Sequence, residues 1–461
     1  MELDALLLSR IQFAFTIGYH IIFPSLSIGL AFFLAILEGL ELNAKAPERK
    51  QTYRRAYDFW LRFFALSFGM GVVSGVVLSY EIGTNWGRFS EIAGPVVGPL
   101  MSFEVLSAFF LEAGFLGIML LGRNRVGPKV HYFSTCMVSL GTMISAFWIL
   151  SANSFMHTPA GFEIVDGIVM PVDWWAIVFN PSFPYRYFHM VVAALLSTSF
   201  VIAAVGAWYV IHNRQVDFGK DLMKTGLLAA AVLAPTQVVI GDLHGLNTLE
   251  HQPIKVAAME GHWETGGDVP LLLFAWPDEE AEENHFEIGI PKLASLILTH
   301  DPSGELQGLT SVPAEDRPPV APVFFSFRLM VGLGMLMLGL AWLGMFKWWR
   351  GTLGNNDWFA TAIRFCSPIG FVAILAGWVV TEVGRQPWTV TGLLRTSGAS
   401  SLVPGQDVAF TLLAFVVVYS VLFVAFVLFF RHLLRKGPGS LTTESLPHQG
   451  NARPAFLAGR D

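Results

Sequence analysis

Nine long apolar runs constrain this chain more than any other feature of its sequence. An α-helix needs about 20 apolar residues to cross roughly 30 Å of hydrocarbon. We therefore predict an all-α integral membrane protein with about nine transmembrane helices, of which the sixth and eighth are the shortest. The predicted spans cover residues 11–37, 59–80, 99–121, 132–152, 187–211, 225–242, 323–346, 365–381 and 408–430.

The composition excludes a soluble protein. Apolar residues make up 53% of the 461 residues and charged residues only 14%, against roughly 25% charged residues in a typical soluble domain. A water-soluble protein of this size would need more charge to cover its surface. The net charge of −6 also excludes a nucleic acid as partner, because a polyanion attracts basic surfaces.

The placement of lysine and arginine predicts the orientation of the helices. If the N-terminus lies outside, 20 of the 29 basic residues fall into the inner connections and the C-terminal tail. Basic residues concentrate on the cytoplasmic side of membrane proteins. We therefore expect the N-terminus outside and the C-terminus inside.

The spans divide the chain into four parts. Residues 1–243 hold the first six helices and residues 323–430 the last three. Between them, residues 244–322 form a long external loop, rich in proline, glycine and acidic residues, and loops of this length are usually functional or disordered. Residues 431–461 are predicted to form a disordered cytoplasmic tail.

Three side chains in the predicted spans are candidate haem ligands. His20 lies in the first helix, about ten residues or ~15 Å from its outer end. His189 and Met330 lie near the outer ends of the fifth and seventh helices, at a similar depth. Imidazole and thioether are the axial pair of electron-transferring haems. Each residue alone also fits an ordinary core side chain, since methionine is a common core filler.

Two carboxylates occupy the third span, where an ionisable group is costly unless it is paired, faces the bundle interior or binds something. Glu104 and Glu112 are ~12 Å apart along an α-helix and point within ~80° of each other. Such a pair can pass a proton inward, or it can be structural and bond neighbouring hydroxyls. Glu38 and Glu41, beside the basic inner loop, are predicted to be solvated charges.

The end of the eighth span combines a carboxylate with an arginine. Glu382 lies near Arg385, and Trp378 is four residues earlier, on the same helix face. The two charges fit a simple ion pair, or an anionic iron ligand beside a guanidinium that binds haem propionates. Arg10 and Arg328, close to the candidate ligands of the first and seventh helices, are further candidates for binding propionates.

The external loop contains Lys255 and Glu260 in a locally helical sequence, HQPIKVAAMEGHW. A carboxylate at the membrane surface can accept a proton from the hydroxyl of a bound molecule. The alternative is that both are solvated loop charges.

Four sequence strings together resemble subunit I of the cytochrome bd-type quinol oxidases, including the cyanide-insensitive branch. They are SRIQFAFTIGYH at 9–20, EVLSAFFLE at 104–112, FRLMVGLG at 327–334 and TEVGRQPW at 381–388. The resemblance implies a multi-pass protein of the bacterial cytoplasmic membrane, with a second multi-spanning subunit as partner and often a small single-helix accessory subunit. The loop resembles that of short-loop members, because the longer C-terminal insertion of other members is missing.

The resemblance also implies three haems. His189 and Met330 match the axial ligands of low-spin haem b. His20 and Glu382 match the proximal ligands of two high-spin haems, of which one is haem b and the other is haem d or a b-type haem in its place. Which of these two haems each residue binds stays open, as does the choice between ubiquinol and menaquinol.

The carboxylates and the loop pair gain roles from the same resemblance. Glu104 matches a carboxylate beside the oxygen-reducing haem, and Glu112 matches one in the proton path from the cytoplasm. Lys255 and Glu260 match the quinol-site pair of the loop that the family calls the Q-loop. The implied activity is oxidation of quinol at the outer face and reduction of dioxygen to water with cytoplasmic protons, which generates a proton-motive force without pumping.

Two other functions remain from the residues alone. A membrane haem-b electron carrier that does not reduce oxygen would need only His189 and Met330, and would leave His20 and Glu382 unexplained. A transporter would use the buried carboxylates to couple protons, but the chain has no evident internal repeat of the kind common in transporters.

Overall fold

The computed structural model describes residues 4–355 and 358–439, and helices dominate it. Within these residues, nine helical segments are long and apolar enough to cross a membrane. The predicted helical class and the number of spans are therefore confirmed for this part of the chain.

The helices follow one another with short connections except around the long loop. In chain order they are α1 (Ala5–Asn43), α2 (Pro47–Asn85), α3 (Gly87–Phe103), a π-helical segment (Glu104–Phe109), α4 (Phe110–Leu121), α5 (Pro128–His157), α6 (Trp174–Val178), α7 (Phe183–Ile211), α8 (Val216–His251), α9 (Pro253–Glu260), α10 (Leu293–Thr299), α11 (Val320–Trp349), α12 (Trp358–Phe365), α13 (Ile369–Val383) and α14 (Gly405–Lys436).

Three antiparallel two-stranded hairpins lie in the connections. They are β1 (Phe162–Val165) with β2 (Ile168–Pro171), β3 (Leu271–Asp278) with β4 (Glu283–Ile290), and β5 (Trp388–Val390) with β6 (Leu394–Arg395). Three single 3-10 turns complete the elements, at Leu309–Ser311, Ala314–Asp316 and Thr396–Gly398.

The helices extend beyond the predicted apolar spans. The sixth span, predicted over 225–242, is the 36-residue helix α8, and the last helix continues to Lys436. Residues 431–436 are therefore helical, so this part of the predicted disordered tail was wrong; residues 440–461 lie outside the described residues. Hydropathy detects only the apolar part of a helix, whereas backbone hydrogen bonds continue into polar sequence.

The third span is not a continuous α-helix. Residues Glu104–Phe109 form a π-helical segment between α3 and α4. A π-helix bonds residue i to i+5 and so rotates less per residue than an α-helix. This smaller rotation brings Glu104 and Glu112 closer to one face than the ~80° expected for an α-helix.

Small residues hold the neighbouring helices α7 and α8 together. A Cβ at Gly206 of α7 would lie 2.5 Å from the backbone oxygen of Gly219 in α8, and one at Gly226 would lie 2.5 Å from that of Ser199. Such close backbone approach is typical of helix packing in membranes. The α7–α8 pair is therefore closely packed, and this packing sets the positions of the side chains that it carries.

Side-chain contacts establish which helix ends lie together. Arg186 at the start of α7 bonds Asn153 near the end of α5, which in turn bonds Glu382 near the end of α13. Arg328, near the start of α11, bonds Glu260 of α9. We call this the loop end of the bundle. The α1–α2 and α4–α5 connections lie at the opposite end.

The long loop is folded. It contains α9, the β3–β4 hairpin and α10, and the hairpin pairs Leu271 with Ile290 and Asp278 with Glu283. Of the two kinds of long loop considered above, a disordered loop is therefore excluded. The fold fixes the position of α9 against the loop end of the bundle.

Candidate functional site

A cluster of polar and charged side chains lies at the loop end, drawn from four elements. We call it the Glu382 cluster, and it consists of Asn153 and His157 of α5, Arg186 of α7, Lys255 of α9, Glu382 of α13 and Arg385 just after α13. Each helix contributes the residues at its end, where a helix emerges from the apolar part of the bundle.

The Glu382 carboxylate is held from both sides. Asn153 Nδ2 donates to Oε1 over 2.8 Å, and His157 Nε2 lies 3.6 Å from the same oxygen. Arg385 donates to Oε2. Arg186 completes the arrangement because its Nη1 donates to Asn153 Oδ1 over 2.8 Å. The ion pair expected between Glu382 and Arg385 is therefore present, and each carboxylate oxygen keeps lone pairs for a further partner.

Lys255 extends the cluster toward the loop. Its Nζ donates to Gln252 Oε1 over 2.8 Å and to His157 Nδ1 over 3.0 Å. Burial, together with the positive charges of Arg186 and Arg385, lowers the pKa of Lys255 well below its usual range. The buried amine therefore gives up its proton more readily than an exposed lysine does.

Glu260 belongs to a second network five residues further along. Arg328 Nη2 donates to Glu260 Oε2 over 2.9 Å, and its Nη1 and Nε donate to the backbone oxygens of Met259 and Leu272 over 2.6 Å each. Burial raises the pKa of Glu260, although Arg328 opposes the increase. Arg328 therefore binds α9 and the hairpin through three of its five N–H groups, and its contact with haem propionates stays a prediction.

Three carboxylates and one amine, for which solvent exposure was considered above, are buried instead. Lys255 is 4% exposed and Glu260 5%, so the interpretation of these two as solvated loop charges is wrong. The prediction of solvated charges at Glu38 and Glu41 is also wrong, since they are 3% and 6% exposed. In each case the partner comes from a distant part of the chain, which local sequence does not reveal.

His262, just after α9, is a buried histidine that the sequence argument did not single out. Both of its ring nitrogens are buried without a hydrogen-bond partner. Burial lowers its pKa to about 4, so the imidazole is neutral at pH 7. A buried neutral imidazole offers one donor and one acceptor to a ligand that enters the loop.

Two arginines of the Glu382 cluster have buried N–H donors without a partner. Arg385 Nε and Nη1 and Arg186 Nε are buried without a partner. Buried guanidinium groups are costly unless an anion completes them. Arg385 therefore fits the predicted role in binding an anionic group, and Arg186 joins it. Arg10, the other candidate, is exposed on α1.

His189 lies on α7, next to α8. Its Nδ1 is buried without a partner. A Cβ at Gly241 would lie 3.5 Å from its Cε1, and its ring centre is 5.3 Å from that of His244. The glycine therefore makes room for the imidazole, and an unpaired ring nitrogen fits a histidine whose environment is completed by a bound group.

Met330 lies on α11 against α13. A Cβ at Gly377 would lie only 2.9 Å from its Sδ. Helix α13 packs against both α11 and α7, so it is a neighbour of the helices that carry Met330 and His189. Trp378, half-buried, follows Gly377 directly. The absence of a side chain at Gly377 therefore leaves the space that the Met330 thioether occupies.

A serine of α2 determines the tautomer of His20. Its Nδ1 lies 2.9 Å from Ser74 Oγ, and the Ser74 hydroxyl donates its hydrogen to the backbone oxygen of Met70 over 2.8 Å. The imidazole Nδ1–H is therefore the donor, which leaves the Nε2 lone pair for a metal. A Cβ at Gly75 would lie 3.2 Å from the ring, so this position also accommodates the imidazole.

Glu104 and Glu112 differ in their surroundings. Ser145 donates to Glu104 over 2.7 Å, so Glu104 has the hydroxyl partner expected of a structural carboxylate. Glu112 is 6% exposed and packs against α5, where a Cβ at Gly141 would lie 2.6 Å from its Cγ. Among the described residues Glu112 has no hydrogen-bond partner, so its carboxylate is not held by a hydroxyl as that of Glu104 is.

Several polar residues of the bundle were not predicted as site residues from the sequence, because they lie just outside the predicted spans. Arg186 precedes the fifth span by one residue, and His157 follows the fourth. Glu81 follows the second and is 0% exposed; Thr16 donates to it over 2.6 Å. Longer helices would have placed all three inside the bundle. In the described residues, no group of three or more His, Cys, Asp or Glu side chains is arranged to bind a bare metal ion.

Comparisons with known proteins agree on one family. The family model described as cytochrome bd terminal oxidase subunit I matches residues 8–438. The chain is 35% identical to cytochrome bd ubiquinol oxidase subunit 1 of Bacillus subtilis, over 94% of each chain. It is 30% identical to cytochrome bd-II ubiquinol oxidase subunit 1 of Escherichia coli, over 97% of this chain and 99% of that one.

A solved structure shares the fold. The bd oxidase of Geobacillus thermodenitrificans superposes with a TM-score of 0.87 and 29% sequence identity, over 95% of this chain and 100% of that chain.

Proposed function

Because this chain belongs to the cytochrome bd terminal oxidase subunit I family, we propose that it oxidises quinol at the loop end and reduces dioxygen to water with protons from the opposite end. Membership of the family makes it a subunit of a terminal quinol oxidase, an oxidoreductase with haem cofactors and a second subunit as partner. The sides of the membrane and the residue roles given below are the proposal.

The observation that carries the proposal is the burial of α9 beside the Glu382 cluster. Lys255 and Glu260, both buried on this helix, face the bundle through separate networks. A quinol bound here loses protons as it is oxidised. Glu260, with its raised pKa and its position set by Arg328, accepts a proton from one hydroxyl, and His262 provides a hydrogen-bond partner within two residues.

The residues present fit the haems that the family requires. His189 and Met330 would hold a low-spin haem b, and His20 and Glu382 would hold two high-spin haems, one of type b and the other of type d or b. Bound haem supplies one-electron transfer and oxygen binding. The support comes from the unpaired His189 Nδ1, the free Nε2 of His20 and the space at Gly377.

The protein groups around these ligands orient them and neutralise anions. Arg385 and Arg186 offer unpaired donors to the propionates, beside Trp378 on α13. Glu112 and Glu104 transfer protons from the opposite end toward the oxygen site. Electrons and protons thus reach that site from opposite ends, so charge is separated across the membrane without a pump. With the N-terminus outside, the loop end faces the exterior of a bacterial cytoplasmic membrane.

The predicted partners follow from the same family. The relatives are called subunit 1, so a multi-spanning subunit II is expected to complete the oxidase, and a small single-helix subunit is a further expected component. The relatives are described as both ubiquinol and menaquinol oxidases, and the quinol of this chain stays open.

A Glu260→Gln variant tests the quinol site. In the purified complex we expect quinol oxidation to fall by about 100-fold, because the amide cannot accept the proton. Oxygen uptake with an artificial reductant that bypasses the loop should persist. Glu264→Gln, which changes an exposed carboxylate of the same loop, is the control. Equal loss with both reductants would assign Glu260 a structural role.

The reduced absorption spectrum of the same complex tests the haem assignment. A low-spin b band together with a high-spin component that binds carbon monoxide is expected. A low-spin band alone would favour the haem-b electron carrier, and a colourless protein would exclude both redox functions.

A further inference from the structure

A histidine and a carboxylate form a buried pair at the opposite end of the bundle. Glu38 of α1 and His131 of α5 are 3% and 1% exposed. Glu38 Oε1 lies 2.5 Å from His131 Nδ1. None of the roles assigned above uses this pair, although two buried ionisable groups in contact inside a membrane protein are costly and usually functional.

The second ring nitrogen determines where the hydrogens are. His131 Nε2 lies 3.2 Å from the backbone oxygen of Met119 in α4. A carbonyl oxygen only accepts, so Nε2 carries a hydrogen and donates it. The contact between His131 Nδ1 and Glu38 Oε1 therefore holds one further proton, which either atom can carry. The pair is neutral with this proton and has a charge of −1 without it.

Two hydroxyls lead to the other oxygen of Glu38. Thr135 Oγ1 donates to Glu38 Oε2 over 2.6 Å. Because this hydrogen of Thr135 is engaged, the hydroxyl of Tyr57, 3.0 Å away, is the donor to Thr135. Tyr57 and Thr135 are both 0% exposed. A chain of hydrogen bonds thus connects the buried pair with α2.

This chain of hydrogen bonds ends at Tyr57, whose ring lies next to a charged patch near the surface. The Arg123 guanidinium lies 4.6 Å from the centre of the Tyr57 ring and pairs with Glu41. Its Nη1 is 3.7 Å from Asp58, whose side chain is 39% exposed. The positive charge of Arg123 favours the −1 state of the pair, and the partly exposed Asp58 brings this charged patch into contact with solvent. The ionisable groups around the pair are Glu41, Tyr57, Asp58, Arg123, Tyr132 and Cys136.

The inner side of the pair leads toward Glu112. Met119, which accepts from His131, is seven residues after Glu112 on α4, or ~10 Å along the helix. On α5, buried Ser139 and Thr142 lie between the pair and the level of Ser145, the partner of Glu104. The pair thus stands between the solvent of the opposite end and Glu112, along a polar face of α5.

We propose that the Glu38–His131 pair is the proton-loading site that reprotonates Glu112, an inference that rests on the proposed oxidase function. In each cycle the hydrogen shared by His131 Nδ1 and Glu38 Oε1 leaves the pair, and an O–H bond forms on the Glu112 carboxylate. The pair passes from neutral to −1. A proton from solvent at the opposite end then restores it, and no electrons change place.

Glu38→Gln separates this role from a structural one. The amide oxygen still accepts from Thr135, and the amide N–H still donates to His131 Nδ1, so every hydrogen bond can be kept while the transferable proton is lost. In the complete oxidase we expect proton uptake during a single turnover with oxygen, followed with a pH-sensitive dye, to slow by about tenfold or more. The haem content and spectrum should not change.

Glu48→Gln, which neutralises an exposed carboxylate at the same end, is the matched control and should leave uptake at the wild-type rate. A wild-type rate in Glu38→Gln would overturn the inference and leave the pair as a link between α1 and α5. Absence of oxygen-dependent proton uptake in the wild-type complex would overturn the proposed function as well, which distinguishes the two failures.

A second variant covers the case in which Glu38→Gln does not assemble. Tyr57→Phe removes the outer hydroxyl but keeps the ring beneath Arg123. Slower proton uptake in Tyr57→Phe than in the wild-type complex supports proton transfer through the Tyr57–Thr135–Glu38 hydrogen bonds. An unchanged rate overturns it.

Discussion

The Glu382 cluster at the loop end and the Glu38–His131 pair at the opposite end both bury charged side chains, but their polar atoms are satisfied differently. At the loop end, the Glu382 cluster leaves Arg385 Nε and Nη1 and Arg186 Nε without partners, and His262 has two unpaired nitrogens. At the opposite end, Glu38 and His131 use both carboxylate oxygens and both ring nitrogens in contacts within the chain.

This difference separates a binding region from a transfer region. An unsatisfied buried donor costs about 1–3 kcal/mol, so several at one place indicate a site that a ligand completes. A fully bonded pair has no room for a ligand, but it can still exchange a proton along its hydrogen bonds. We therefore predict that the loop end binds haem propionates and quinol and that the opposite end transfers protons.

The same substitution at each end should produce the largest contrast. Arg385→Gln removes the guanidinium that pairs with Glu382, which leaves a half-buried carboxylate without its cation and propionates without their donor. We expect loss of the haem nearest Glu382 and destabilisation by about 3–5 kcal/mol, measured by pigment analysis and thermal unfolding of the complex. Arg123→Gln at the opposite end should retain all haem. Equal haem loss in both variants would contradict the distinction between the ends.

Met330→Leu should give the next largest effect, confined to one haem. Leucine keeps a similar volume, so the fold should lose less than about 1.5 kcal/mol. The low-spin haem should become high-spin because its thioether ligand is gone, which the absorption spectrum of the reduced complex reports. Met335→Leu, on the exposed side of the same helix, should leave the spectrum unchanged. An unaltered spectrum in Met330→Leu would exclude it as an axial ligand.

The smallest expected effect is a pH dependence of the stability of the folded loop, caused by His262. Its pKa falls from an ordinary 6.5 to about 4 on folding, so the unfolded loop binds the proton more tightly and stability is lost as pH falls through this window. Between pH 7 and pH 5 we expect the equilibrium constant for loop opening, measured by hydrogen exchange, to increase by about 20-fold. His262→Gln should flatten this dependence, whereas His285→Gln, in the exposed hairpin, should not. A pH response that survives in His262→Gln would assign it to other groups.

The sequence was most informative about the elements and least about their partners. The nine spans could be predicted because a helix needs a minimum apolar length to cross hydrocarbon. The ends of the helices could not, since α8 continues on both sides into polar sequence with unchanged backbone hydrogen bonding. The helical shape of the segment around Lys255 was also apparent, but its burial was not.

Residue types alone nominated His20, His189, Met330 and Glu382, because imidazole, thioether and carboxylate are unusual inside a bilayer and match known haem ligands. Their assignment as ligands stays a prediction.

Hydropathy and residue chemistry thus determined that the chain is a bundle of membrane helices with polar groups suited to iron, quinol and protons. Only the tertiary structure decided which of these groups meet. It joined His131 to Glu38 across 93 positions and Glu382 to Asn153 across 229, and it buried Lys255 and Glu260. Charges separated this widely along the chain leave no local pattern, because their pairing depends on how the helices pack.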